Sequence, residues 1–479
     1  RRHIEDSDTV CVCNSTYCDD FPPIVRPKVG YVLVYESNKN GDRFKESSLK
    51  FKSFYGNKNC VKNNCLKKGK ENQIIISVDK NHKYQKLYGF GNAFTDSAGY
   101  MLSSVDPSLA SAIINSYFSA NGIEFSFGRV PISGTDYSLR PYTYDDVYND
   151  YTLKYFSLQK EDFEYKIPYI KQAQSVCPHT LKLIGSNWSP PVWMKQIEEF
   201  IAHSELKGDV GGQYYQILAN YLLKFLEAYK ENGINLWGLT TENEPVDDHK
   251  LNNLKMSPEQ IRYFIEHNLG PTLAKAGYNK NKLKLMILDD NTPFLANWTD
   301  IILADNRLAQ YVSGIASHWY YNELIGARSV AEILEYVHHK HPDYFILNTE
   351  ACILNGPGNG KWSYAERYAF DIINQLNHWA VGWIEWNMAL DLNGGPTWFE
   401  RQGCGGPVYI NPLKGEAYKQ PTFYALGQFS KFISPDSVRI GHELVSSVDD
   451  IYVLTAKRPD NGVVVVVLNR GDDIMELNL

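Results

Sequence analysis

The chain has 479 residues, 43% hydrophobic and 22% charged, with a formal net charge of -7 and a pI near 6.0. That length supplies more than one average domain and a large core, and the negative balance excludes a polyanion-binding surface, so nucleic acid is not an expected partner. No run of about 18 uninterrupted apolar residues occurs, which excludes a bilayer-spanning helix, while 33 tyrosines and 10 tryptophans suit the stacking of pyranose C–H faces on aromatic rings.

The chain starts Arg1-Arg2-His3 with no apolar signal core, so a removed signal peptide or a piece of a longer chain is expected. Cys11, Cys13, Cys18, Cys60 and Cys65 crowd the first 65 positions, whereas Cys177, Cys352 and Cys404 are scattered. Crowding of this kind reads as disulfides made in an oxidising compartment. The spacings lack the two-residue knuckle of a zinc site, and only His3 lies close by, so no metal is expected. Sequons at Asn14-Ser15-Thr16 and Asn297-Trp298-Thr299 agree with secretory passage. A third at Asn187 falls at a strand end in the presumed active site, where a glycan is not expected.

Residues 30–85 and 437–479 carry β-type patterns and turns, with lysines of the 50–70 stretch as a solvated face. Between them, short apolar or β-branched runs recur at Leu87–Phe90, Phe125–Pro131, Leu181–Trp188, Leu236–Thr241, Leu283–Leu288, Gly314–His318, Tyr344–Thr349 and Val381–Trp386. Stretches with three- and four-residue apolar spacing separate them: Pro107–Phe118, Lys166–Val176, Gln213–Glu231, Pro258–Ala276, Val330–His339 and Tyr364–His378. Asp106-Pro107 and Ser257-Pro258 are helix-start signals. The alternation predicts an α/β fold, a (β/α)8 TIM barrel over 86–391 plus 422–436. An all-β sandwich of immunoglobulin type is expected from 30–85 plus 437–479, and a small disulfide-containing N-terminal β unit from 1–29 plus 392–421. The last strand pattern, Val463–Leu468 and the turn at Gly471, stops where a returning strand is expected, so the sandwich reads as truncated.

Barrel active sites sit at the carboxyl ends of the strands. Glu244 ends the fourth run, in Thr240-Thr241-Glu242-Asn243-Glu244-Pro245, and Glu350 ends the seventh. Two carboxylates on facing parts of the rim suit a retaining glycosidase, whose carboxyls stand about 5 to 5.5 Å apart. Asn243 can bond the sugar 2-hydroxyl, a contact that strengthens in an oxocarbenium-like transition state, which makes Glu244 the acid/base and Glu350 the nucleophile. Arg129 and Tyr320, at other strand ends, are donors for the Glu350 carboxylate. Glu242 is the rival within the motif and reads equally well as a structural carboxylate. His318 is either a supporting group or a satisfied core histidine. Trp193 and Trp319 read as core packing.

The segments Gly89-Phe90-Gly91, Arg129-Val130-Pro131, Thr-Glu-Asn-Glu-Pro, His318-Trp319-Tyr320, Glu350-Ala351-Cys352, Gly394-Gly395-Pro396 and Lys431-Phe432-Ile433, in this order and spacing, give nearly the whole chain a resemblance to the glucosylceramidases of glycoside hydrolase family 30. The resemblance implies Glu244 as acid/base and Glu350 as nucleophile. It implies glucose binding by Asp136, Trp188, Asn243 and Trp386, with the indoles walling the sugar and Arg129 and Tyr320 near the nucleophile. It also implies cleavage of glucosylceramide in membranes, without cofactor, in the lysosome, with anionic lipid and a saposin-type activator as partners. The same mechanism on a steryl glucoside, a xyloside or another aglycone, or a silent sugar-binding barrel, are the alternatives. Departures from the family pattern are the missing upstream partner of Cys11, which leaves it unpaired or pairs it with Cys60 or Cys65, and the mouth loops Val246–Lys255 and Arg401–Gly406.

Overall fold

The computed structural model describes residues 1–3, 9–51, 73–246, 252–354, 356–399, 403–446 and 450–479. Parallel strands close a barrel in chain order: β1 Gly89–Ala93, β2 Phe127–Ile132, β3 Lys182–Asn187, β4 Gly238–Thr240, β5 Lys284–Asn291, β6 Val312–His318, β7 Phe345–Glu350 and β8 Ala380–Asn387. β8 pairs back onto β1. Each apolar run in the sequence supplies one strand. A barrel strand is covered by helices outside and by the core inside, so it reads as a continuous apolar run rather than an alternating one. Every residue of β2, β6 and β8 is accordingly buried. The close approach of strands explains Gly91, where a Cβ would run into the Phe127 carbonyl oxygen.

Phe127, Ile184, Met286, Ala316, Leu347 and Ile384 pack together as an apolar plug inside the barrel. Side chains on a strand alternate faces, so a step of two residues toward the carboxyl end keeps the inward face. That step leads from the plug to Arg129, Ser186, His318, Thr349 and Trp386, while in β5 left-handed backbone at Leu288 and Asp289 breaks the alternation and brings Asp289 to the site. The plug is therefore the floor of a polar layer.

Helix Pro107–Phe118 starts where the Asp106 carboxylate accepts from Ser108 N at 2.8 Å, and Gln213–Glu231 spans its sequence-read range. The stretch read as one helix from Pro258 is capped by Ser257 and Gln260 but splits into Pro258–Phe264, a π turn Ile265–Leu269 and Gly270–Lys275. Pro271 has no N–H to continue the ladder, and the wider turn absorbs the break. The helix read from Lys166 begins after a π turn Asp162–Lys166, beside Pro168, for the same reason.

Outside the barrel, Gln73–Lys86 joins Val438–Ser446, Ile451–Lys457, Val463–Asn469 and Glu476–Asn478 in a five-stranded sheet around Ile74, Ile76, Ile451 and Val453. Tyr31–Glu36 and Lys45–Lys50 form a separate hairpin. Arg2–His3, Thr9–Asn14, Glu416–Lys419 and Val408–Asn411 form a four-stranded antiparallel sheet, next to which Cys13 and Cys18 are disulfide-bonded. Cys11 is buried and bonded to no described cysteine, while Cys60 and Cys65 lie outside the described residues, as do parts of both mouth loops. Asn14 and Asn297 are exposed, whereas Asn187 is fully buried. Among the described residues no helix is long and apolar enough to cross a membrane.

Candidate active site

Glu244 lies just beyond β4, in a segment held on both sides. Asn243 N donates to Asn187 O at 2.7 Å, and Glu244 N donates to Asp289 O at 2.9 Å. Asn253 Nδ2 caps the Glu244 carbonyl at 3.1 Å. Glu244 has φ 45° and Asp289 φ 58°, left-handed values that cost about 1–3 kcal/mol in a non-glycine residue and persist where surrounding bonds over-determine them. Glu350 ends β7 across the barrel. One donor atom each from Glu244, His318 and Glu350 lie within 4.8 Å of one another, and all three residues are buried. That separation falls near the 5–5.5 Å of retaining glycosidases and well short of the roughly 6.5–9.5 Å of inverting ones.

The Glu350 carboxylate is clamped from two sides. Arg129 Nη1 donates to Oε2, and Tyr320 Oη donates to Oε1 at 2.6 Å. Arg129 also donates through Nη2 to Asn243 Oδ1 and Asp289 Oδ2, both at 2.7 Å, and through Nε to Ser186 Oγ at 3.1 Å. Because Asn243 accepts from Arg129 through its oxygen, its NH2 remains the group to offer a sugar hydroxyl. Arg129 stacks over Trp188 at 4.7 Å.

Glu244 Oε1 is 2.9 Å from His318 Nδ1, and His318 Nε2 is 3.0 Å from Asp289 Oδ1. Burial pushes the His318 pKa down, but the carboxylates of Glu350, Asp289 and Glu244 outweigh it and raise it to about 10, so the ring is an imidazolium. Burial raises Glu244 to about 7; His318 opposes that shift, while Glu350 and Asp290 add to it. Asp289 is pulled the other way: burial disfavours its charge, yet Arg129, His318 and the Thr349 hydroxyl hold it well below the usual carboxylate range. The site therefore contains one carboxyl poised to keep its proton near neutrality and others paired with cations.

Asp136 is buried on the loop after β2, and its neighbour Tyr137 packs edge-on against Trp386 at 6.1 Å. The rings of Trp188 and Trp386 stack on one another, 5.0 Å apart and 18° from parallel. They present one continuous aromatic surface, so a sugar would lie against their outer face or edge rather than between them. Trp193 and Trp319 stand away from the carboxyls, donating to the carbonyls of Asp145 and Cys352 and packed among other rings. Glu242 is fully buried and accepts from Asn187 Nδ2 at 2.7 Å; burial raises its pKa well above the usual range. The structure thus brings together Arg129, Trp188, Asn243, Glu244, His318, Tyr320, Glu350 and Trp386.

Sequence reasoning missed Asp289, Ser186 and Thr349, which orient the charged groups. Thr349 Oγ1 donates to Asp289 Oδ1 at 2.6 Å, and Ser186 Oγ donates to Asp289 Oδ2 at 3.1 Å. A signal existed: Asp289 directly follows the apolar run of the fifth strand, and β5 continues through it to Asn291.

The profile described as "Glycosyl hydrolase family 30 TIM-barrel domain" matches residues 87–433, and that of the "Glycosyl hydrolase family 30 beta sandwich domain" matches 436–479. The chain is 39% identical over 471 residues to putative glucosylceramidase 4 of Caenorhabditis elegans, covering 97% of this chain and 87% of that one. It is 36% identical over 482 residues to the lysosomal acid glucosylceramidase of Mus musculus, covering 99% and 89%. Among solved structures, SrfJ from Salmonella typhimurium superposes with a TM-score of 0.80 at 25% identity over 92% of each chain.

Proposed function

The chain belongs to glycosyl hydrolase family 30 and is a glycoside hydrolase, and from that membership we propose that it is a retaining β-glucosidase that splits glucosylceramide into glucose and ceramide. In the first step the Glu350 carboxylate attacks the anomeric carbon while Glu244 gives its proton to the departing ceramide oxygen. Water, deprotonated by Glu244, then attacks the same carbon, releases glucose and returns the proton to Glu244. Asn243 bonds the 2-hydroxyl, Asp136 the distal hydroxyls, and the Trp188–Trp386 surface carries the sugar face.

The observation that carries the reading is the placing of two unlike carboxyls within 4.8 Å: Glu244, raised to about 7, and Glu350, held by Arg129 and Tyr320. Both are only 5% exposed. The names of the worm and mouse relatives supply the ceramide aglycone. The name of the mouse relative supports a lysosomal setting; a membrane surface, anionic lipid and a saposin-type activator belong to the same proposal. An acidic lumen would keep Glu244 protonated.

The test is trapping with a 2-deoxy-2-fluoro-glucoside at acidic pH, with the label located by mass spectrometry. Label on Glu350, together with turnover of glucosylceramide in preference to a xyloside, supports the proposal. Label elsewhere, or xyloside turnover that exceeds glucoside turnover, overturns it.

A further inference from the structure

Two cysteines that take no part in the proposed chemistry meet behind the nucleophile. Cys352 follows Glu350-Ala351 at the end of β7, and Cys404 lies 52 residues on, between β8 and the strand Val408–Asn411. Their sulfurs are 2.8 Å apart and fully buried. The backbone on both sides is already registered: Gly405 N donates to Ile353 O at 2.7 Å and Gly356 N to Gly403 O at 3.0 Å. The Cys404 N–H is shared between Tyr137 Oη at 2.8 Å and Gly394 O at 3.1 Å, and Trp319 Nε1 donates to Cys352 O at 3.0 Å. From 2.8 Å, a bonded pair at about 2.05 Å needs roughly 0.75 Å of closure. Cys13–Cys18 places the same chain among those that make disulfides.

We propose that Cys352 and Cys404 form a second disulfide, which ties the nucleophile's strand end to the segment that holds the Asp136 loop. That segment reaches Asp136 directly: Thr397 Oγ1 donates to Asp136 O at 2.6 Å, and Trp398 Nε1 donates to Thr135 O at 2.6 Å. On the other side, Tyr320 Oη is 3.7 Å from Cys352 Sγ and 2.6 Å from Glu350 Oε1. One residue, Tyr320, would thus stand between the bond and the nucleophile, and Tyr137, whose hydroxyl accepts from Cys404 N, is the chain neighbour of Asp136.

Its chemistry is exchange with an oxidised dithiol. One cysteine loses its proton and its thiolate attacks a sulfur of the donor disulfide, giving a mixed disulfide. The second cysteine, also deprotonated, displaces the donor, so two electrons pass to the donor, which leaves as two thiols. Burial of both sulfurs dates the step to folding, before Cys404 is packed in.

The test uses the full chain expressed through an oxidising secretory route, alkylated under acid denaturation and digested without reduction. A peptide linking Cys352 to Cys404, separating on reduction, is expected. The drop in Tm on reduction is expected to be a few degrees larger in wild type than in Cys404→Ser, because a 52-residue loop is released only in the former. Complete alkylation of Cys352 and Cys404 in a digest where the Cys13–Cys18 peptide is still crosslinked overturns the proposal. The peptide map reads wild-type protein, so it decides even if the variant does not fold. It is also independent of Glu350 labelling, so either reading can fail alone.

Discussion

Replacing His318 by glutamine moves the alkaline limb of activity upward. Each ring nitrogen of His318 faces a carboxyl oxygen, 2.9 Å to Glu244 and 3.0 Å to Asp289, and both nitrogens donate only as the imidazolium. With its pKa raised to about 10, the ring is a cation throughout the working range, and it opposes the burial that lifts Glu244 to about 7. Glutamine keeps a donor but removes the charge. A hydrogen bond to a charged group contributes about 1.5–3 kcal/mol, and at about 1.36 kcal/mol per pKa unit its loss raises Glu244 by roughly one to two units. In the proposed mechanism Glu244 is protonated in the free enzyme, so activity is expected to fall as pH rises through its pKa. The assay is kcat/KM against pH with an aryl β-glucoside, whose alkaline limb reports that group. Wild type is expected to show a limb near 7, and the variant one near 8–9, provided the variant keeps a cooperative melt. A limb that stays in place or moves to lower pH refutes the argument that His318 stabilises the ionised form.

Glu244→Ala lowers turnover of glucosylceramide by about 10²–10⁴-fold and erases the alkaline limb; azide, which needs no general base, restores turnover of an activated aryl glucoside as the glucosyl azide. Arg129→Leu leaves Asp289 and Glu350 buried without their cation and destabilises the fold by about 3–5 kcal/mol, read as a lower urea midpoint. In enzyme trapped on Glu350 with the 2-fluoro sugar, the Glu244 carboxyl titrates at lower pH than in free enzyme, measured by infrared or carbon NMR of a labelled glutamate. An unchanged titration there would show that Glu350's charge does not reach Glu244.

The barrel was legible because parallel strands buried on both faces must be apolar throughout, and Leu181–Trp188 or Tyr344–Thr349 cannot be anything longer. Helix Pro421–Ser430 was not, since nearly every residue of it is buried and no polar face marks a period; Asp96–Ser103 fails for the same reason. At the site, Glu244 and Glu350 stand out as charges that end apolar runs. Asp289 does so equally, but Asp290 beside it blurs which carboxylate faces inward, and its left-handed backbone breaks the two-residue alternation. The approach of the two cysteine sulfurs near Glu350 was invisible because 52 residues separate them.

Charge counting accounts for the division of labour between the two glutamates. Arg129 and His318 bring two positive charges against three carboxyls, those of Asp289, Glu350 and Glu244, and buried Asp290 adds to the repulsion on Glu244. Asp289 touches both cations and is held well below the usual carboxylate range, while Glu350 is bonded by Arg129 and the Tyr320 hydroxyl. Among the described residues the cation against Glu244 is His318, shared with Asp289. In the proposed mechanism Glu350 becomes an ester of the sugar, and one of the causes that hold Glu244 high goes with its charge. Glu244, ionised once it has given its proton to the leaving group in that mechanism, is then more stable as the carboxylate that takes a proton from water. The order of the two steps is thus built into which groups Arg129 and His318 touch.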